Sequence, residues 1–270
     1  MSDQRTSPGS LGDGGRSSPG SIFTRLADRA RGSLGADQRA ALRRATDRWI
    51  GPFGSIRGAE VPDAIGLTFD DGPSGATPAV LDVLARHGAT ATFFVLVERA
   101  ELSKGVLRRI VSEGHEVGLH GIDHQRLTTL PPSEVRRRLT DGRRRLEDCV
   151  GRPVRWFRPP FGSQTPRTLL AAHRAGLDVV VWSCDAQDWI DEQPAHIARL
   201  ATDRVQPGGV LLLHDAFESD PASPLPEPGF DRSEVLDLVL TGLAGRDLRT
   251  LDVGRLVEEG RARRTAWFRS

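Results

Sequence analysis

Between Ile65 and the C-terminus the hydrophobic period switches repeatedly, from short apolar or β-branched runs to stretches with apolar residues at helical spacing. The extended runs are 65–69, 92–97, 116–119, 155–157, 177–182, 209–213 and 249–251. Helical segments fall between and after them. Thr77-Pro78 opens one that Gly88 closes, and Thr165-Pro166 with Gly176 repeats the arrangement. Val106 to Glu113 ends at Gly114, and Ser133 to Cys149 carries Val135, Leu139 and Leu146 on one stripe. Pro194 to Val205 follows, then Asp231 to Leu243, opened by an Asp-x-x-Glu capping signature at Asp231 and Glu234, then Gly254 to about Arg261. Seven such β/α units predict an α/β fold with a parallel sheet and crossover helices. Polar residues end strand after strand, which favours a barrel, because an open sheet gathers its chemistry at a single switch point.

The same alternation sets the expected boundaries. Residues 1–35, rich in Ser, Gly and Pro, read as a disordered tail that buries too little apolar area to offset ordering. Residues 36–60 read as a helix and linker: Leu42, Ala45 and Trp49 lie at helical spacing over Asp37 to Ile50, and four arginines mark the other face. The catalytic domain is expected over 61–262, and 263–270 reads as a basic, frayed tail. A formal charge of +1 gives no reason to expect a nucleic-acid partner. No run approaches the roughly 20 apolar residues of a membrane span, and Met1 to Gly20 lacks a secretory apolar core, so the expected location is cytoplasmic. Cys149 and Cys184 lack Cys-x-x-Cys spacing and read as reduced thiols. The oligomeric state is not legible.

Chemistry-bearing side chains fall at the predicted strand ends. Asp70 and Asp71 end the first strand, and neighbours on an extended segment point opposite ways, so each acid should meet a different partner. His120 ends the third, with His124 four residues on, a spacing that on a helix would put both imidazoles on one ion. Arg158 ends the fourth, Asp185 and Asp188 follow the fifth, and His214 with Asp215 ends the sixth. In a β/α barrel these ends share one face. Two histidines and an aspartate make a three-ligand divalent site with positions left for water and substrate. Asp70 could then take a proton from that water, and His214 could give one to the leaving group.

In these five motifs the chain resembles the NodB-like polysaccharide deacetylases, carbohydrate esterase family 4, over about residues 61 to 260. The resemblance implies a distorted (β/α)7 barrel that removes N-linked acetyl groups from a saccharide, with one divalent metal ion, zinc first and cobalt or another first-row metal as alternatives. Thr68 to Gly72 is similar to the first motif, implying Asp70 as base and Asp71 as metal ligand; His120 and His124 match the metal histidines of the second. Arg158-Pro159-Pro160-Phe161-Gly162 is similar to the third, implying that Arg158 orients the base, that the Phe161 N–H helps hold the oxyanion, and that Pro160 sits at the substrate. Asp185-Ala186-Gln187-Asp188-Trp189 is similar to the fourth, whose acids support the catalytic pair and whose Trp189 walls the groove. The division of labour between Asp185 and Asp188 stays open. Leu211 to Asp215 is similar to the fifth, implying Leu212 beside the acetyl methyl and His214 as acid. Two residues depart from the pattern: Phe161 stands where many members have tyrosine, a change the backbone donor survives, and Gly121 stands where most members carry Ser or Thr, which predicts a looser ligand loop that keeps its metal.

Trp182 reads as core, and Trp49 and Trp267 as packing at the termini. The Pro-rich stretch from Ala216 to Phe230 follows the acid and reads as a rim or lid that sets substrate choice. Without a visible export signal, the expected substrates are intracellular N-acetylated sugars, sugar nucleotides, lipid-linked saccharides or N-acyl metabolites. Two other classes use similar parts: a metal-dependent hydrolase of a cyclic amide or ester, and a carbohydrate-binding pseudoenzyme.

Overall fold

The strand that carries the paired aspartates lies in the middle of the sheet. A computed structural model describes residues 53–221 and 223–269, so the tail at 1–35 and the Asp37 to Ile50 helix with Trp49 lie outside the described residues. Strand β2 (Ala64–Asp70) is buried along its whole length. It pairs in parallel with β3 (Thr92–Leu96) and with β8 (Val210–His214), while β9 (Arg249–Leu251) pairs with its first residues. The parallel order continues outward through β4 (Glu116–Gly121), β5 (Trp156–Phe157) and β6 (Asp178–Val179) on one side, and ends at β7 (Cys184–Asp185) on the other. The result is a curled parallel sheet wrapped by helices, the distorted (β/α)7 barrel architecture. Burial on both faces explains why β2 and β3 read as unbroken apolar runs and do not alternate.

Helices α1 (Thr77–Arg86), α3 (Lys104–Ser112), α4 (Pro132–Val150), α5 (Pro166–Arg174), α6 (Pro194–Arg204), α7 (Arg232–Ala244) and α8 (Val253–Glu259) stand where the periodicity put them. An unforeseen helix, α2 (Val97–Leu102), starts directly from β3 with no side-chain cap. Val97, a residue that suits extended backbone and closes the expected run 92–97, is the first residue of this helix. Thr165 caps α5 through reciprocal bonds with Thr168, and Asp231 caps α7. Thr77 is not a cap: Ala76 holds that position, and the Thr77 hydroxyl instead donates to the Asp215 carboxylate at 2.6 Å. A tertiary partner has taken the group that local chemistry would have used.

Both termini of the described chain differ from expectation. The linker and the frayed tail become β1 (Ser55–Ala59) and β10 (Ala262–Thr265), which pair antiparallel. β1 also touches the curled sheet at two separate places: Ile56 bridges to Val180 after β6, and Gly58 bridges to Gly209 before β8. The expected strand 177–182 is cut to β6 because Val181 turns its N–H to the Ile56 carbonyl of β1. Cys184 and Asp185 then pair with Leu211 and Leu212, adding a strand that two residues of sequence could not reveal.

Candidate active site

At the end of β2 the chain leaves extended geometry. Asp71 takes φ 74°, and the peptide from Gly72 to Pro73 is cis. A Cβ on Gly72 would lie 2.1 Å from the Asp215 carboxylate, so glycine is what lets this turn close. Asp70 and Asp71 do meet different partners, because the turn swings Asp71 away. Asp70 accepts from Arg158 Nη1 at 2.7 Å. Arg158 is fully buried, bonds Thr68 Oγ1 and the Val180 carbonyl, and lies 4.2 Å over the Phe94 ring. Burial lowers its pKa, and the Asp70 charge opposes that. Asp70 is the only carboxylate bonded to the guanidinium among the described residues, so the base candidate is held in one rotamer.

Asp71 faces the two histidines. Its Oδ1 lies 3.2 Å from His120 Nε2 and 3.3 Å from His124 Nε2, and it has no hydrogen-bond partner although it is buried. His120 Nδ1 lies 2.8 Å from the Arg158 carbonyl. A carbonyl only accepts, so Nδ1 carries the proton and the Nε2 lone pair points at Asp71. Burial pushes His124 down to about 4 against the Asp71 charge, which leaves that imidazole neutral near pH 7. Asp71 itself is held well below the usual carboxylate range: burial works against its ionisation, and the neighbouring imidazoles of His120, His214 and His124 outweigh it. Three electron-pair donors thus converge with ligand atoms inside 4.8 Å, and that donor set fits a divalent cation. No helix brings the histidines together, as the spacing had suggested. His120 is the next-to-last residue of β4, at the point where the register against β3 shifts, and a loop then returns His124 until the rings are 5.2 Å apart.

Gly121 is part of that return. It has φ 152°, and a Cβ there would sit 2.5 Å from the Asp123 carbonyl oxygen. The expectation of a looser loop is therefore corrected: glycine permits a tighter approach than Ser or Thr would. Pro160 is also corrected. It is buried against Gly121 and is absent from the cavity lining, so it shapes the ligand loop and not the substrate surface.

His214 ends β8 on the other flank. Its Nδ1 lies 2.8 Å from Asp188 Oδ1, and its backbone N–H donates to Asp188 Oδ2 at 2.7 Å. Burial would lower the imidazole pKa, but the charge and hydrogen bond of Asp188, with Asp71 and Asp70 behind, push it up to about 9. The geometry divides the two acids of the fourth motif. Asp188 holds His214, whereas Asp185 accepts from the Trp182 indole at 3.3 Å and is hydrogen-bonded to neither Asp70 nor His214 among the described residues. Arg232 Nη1 donates to the His214 carbonyl at 3.0 Å, and Trp189 meets the imidazole edge-on at 5.8 Å. Asp215, beneath the Asp71 turn, is pushed up to about 6 by burial and by Asp71, against the Thr77 bond.

A cavity of about 450 Å³ joins the flanks and is lined by Asp70, Asp71, His120, His124, Phe161, Asp185, Asp188, Trp189, Leu212 and His214. Phe161 takes φ 58°, with its ring 4.1 Å from His124 and under the Arg126 guanidinium at 3.9 Å. Several wall residues were missed in the sequence. Trp182, expected in the core, is half-buried and lines the cavity, as do Arg126, Arg232 and Arg269. The Pro-rich stretch contributes Phe217, Glu218, Asp220 and Leu225, with Glu218 paired to Arg99 and Asp220 to Arg126. Only the position of that stretch after His214 hinted at its place.

Residues 57–180 match the family model described as polysaccharide deacetylase. Relatives include a chitooligosaccharide deacetylase of Bradyrhizobium, 36% identical over 61% of this chain and 75% of its own length. A peptidoglycan-N-acetylglucosamine deacetylase of Listeria monocytogenes is 33% identical over 76% of this chain but only 42% of its own length, so the chain spans under half of that relative. Among solved structures, a pseudoenzyme of the CE4 family from Bacillus anthracis superposes with a TM-score of 0.67 at 26% identity, covering 76% of this chain and 68% of that one.

Proposed function

The chain belongs to the NodB-like polysaccharide deacetylases of carbohydrate esterase family 4, and on that premise we propose that it hydrolyses the N-acetyl group of an N-acetylated saccharide with the help of one divalent cation. The observation that carries the proposal is the convergence of Asp71 Oδ1, His120 Nε2 and His124 Nε2 as electron-pair donors with nothing between them to donate a proton. Asp71, His120 and His124 would hold the ion, zinc or cobalt by the nitrogen and oxygen character of the set. When bound, such an ion lowers the pKa of water and polarises a carbonyl.

The remaining work belongs to the chain's own residues. Asp70, with one carboxylate oxygen held by Arg158, would take the proton from the attacking water through the other. His214 is protonated near neutral pH because Asp188 holds it at about 9, so it would deliver the proton to the departing amine. Phe161, in its left-handed conformation at the cavity wall, would offer its backbone N–H to the developing oxyanion. Leu212 would face the acetyl methyl and Trp189 the sugar ring.

Likeness to a pseudoenzyme means that fold alone does not carry turnover. Base, acid and three metal-type ligands are all present here, which favours the enzyme reading over saccharide binding alone. Purified protein loaded with zinc or cobalt should release acetate from N-acetylated oligosaccharides, and a chelator should abolish release. Binding of the same saccharides with no acetate under any metal would refute the proposal. Acetate or acid release from small cyclic amides or esters alone would place the substrate elsewhere.

A further inference from the structure

The C-terminal segment after β10 lies outside the five motifs and beyond the stretch matched by the family model, yet it reaches the cavity. Arg269 is locked at the backbone, its N–H donating to the Gln164 carbonyl at 3.0 Å and its carbonyl accepting from Gln164 N–H at 2.7 Å. Gln164 is itself 1% exposed, with its side-chain amide on Ser55 Oγ and the Trp267 carbonyl. The Trp267 indole donates to the Gly162 carbonyl at 2.9 Å, directly after Phe161. Trp267 packs on Trp182 with ring centres 5.0 Å apart, and the Arg269 guanidinium stacks 3.8 Å over Trp267. The side chain is exposed toward the cavity that holds Asp70, Asp71 and His214.

We infer that Arg269, fixed on the Trp267–Trp182 platform, is a saccharide-binding residue that grips the sugar unit adjoining the one that carries the reacting N-acetyl group. Stacking immobilises the planar guanidinium before ligand arrives, so little rotamer freedom remains to be lost on binding. A fork of N–H donors at a cavity edge suits the paired oxygens of a neighbouring pyranose. Arg269 therefore sets preference for chain length and leaves the chemical step alone. This rests on the proposed deacetylation only in the choice of substrate.

The test compares Arg269→Ala and Arg269→Lys with the parent, all zinc-loaded, on N-acetylglucosamine and on its oligomers of two to five units. KM and kcat come from acetate release, and affinity comes from calorimetry. Loss of charged hydrogen bonds should raise KM on the oligomers on the order of tenfold, with kcat within about twofold and the monosaccharide unaffected. Lysine cannot reproduce the stacked fork and should behave like alanine. Normal turnover with unchanged KM at every length, or full recovery by lysine, overturns the subsite while leaving the proposed function intact. If the parent releases no acetate but its oligomer affinity falls in Arg269→Ala, the catalytic reading fails and the subsite stands. Absence of oligomer binding by the parent overturns both.

Discussion

Replacing Asp188 with Asn tests the acid assignment through charge, at nearly constant volume. In the parent both Asp188 oxygens accept, one from the His214 ring and one from the His214 backbone N–H. Asparagine keeps one acceptor and turns an NH2 toward one of the two His214 N–H groups, so one bond becomes a donor facing a donor. The larger effect is electrostatic. His214 moves from 6.5 to about 9 in the parent, a shift equivalent to about 3 kcal/mol favouring imidazolium. Without the Asp188 charge, burial dominates and the pKa falls to 6.5 or below. At pH 7.5 the protonated fraction then drops from about 97% to about 10% or less, a loss of roughly tenfold in acid-competent enzyme. Because the folded pKa is raised, the pair supports folding fully below pH 6.5, and its contribution fades as pH rises through 9. The assays are a pH profile of kcat/KM between 5.5 and 10 and an NMR titration of the His214 ring, which needs no turnover. The alkaline limb should move from about 9 to below 7 in both. A His214 titration unchanged in Asp188→Asn would refute the reasoning outright.

Changing Asp71, His120 or His124 to Ala should remove stoichiometric zinc, read by metal analysis, together with acetate release; a metal-free variant with full turnover would defeat the site assignment. Arg158→Met leaves the Asp70 carboxylate buried without its partner, and unfolding should be easier by about 3–5 kcal/mol in denaturant titration. The same variant should lose activity beyond what its folded fraction explains. Gly121→Ser must push a side chain into the Asp123 carbonyl, so we expect destabilisation of about 1–3 kcal/mol and weaker zinc retention in a competition assay. A gain in stability there would show that the ligand loop has room to spare.

The readable part of this protein is the part whose signals are local. Seven of the sheet's strands announced themselves as short apolar or β-branched runs, unbroken in β2 and β3 where both faces are buried, and the helices because their stripes repeat every three to four residues. The reactive groups were legible because a barrel gathers strand ends, so Asp70, His120, Arg158 and His214 could be placed on one face before any contact was known. What sequence could not give was the direction from which residues approach one another. Asp185 and Asp188 are three positions apart and chemically equal, and only the path of the chain after β7 brings Asp188 under His214 and leaves Asp185 on an indole. Trp182 looked like core because an apolar residue carries no mark of which side the chain bends toward. β7 and the β1–β10 ribbon exist because distant backbone is there to pair with, and the runs Ser55–Ala59 and Ala262–Thr265 offer little intrinsic preference for extension. Gly121 reversed its meaning for the same reason: a missing side chain suggested slack until the Asp123 carbonyl was found in the space it would need. Periodicity and composition thus determined the scaffold and the inventory of groups, while long-range packing decided which of them touch.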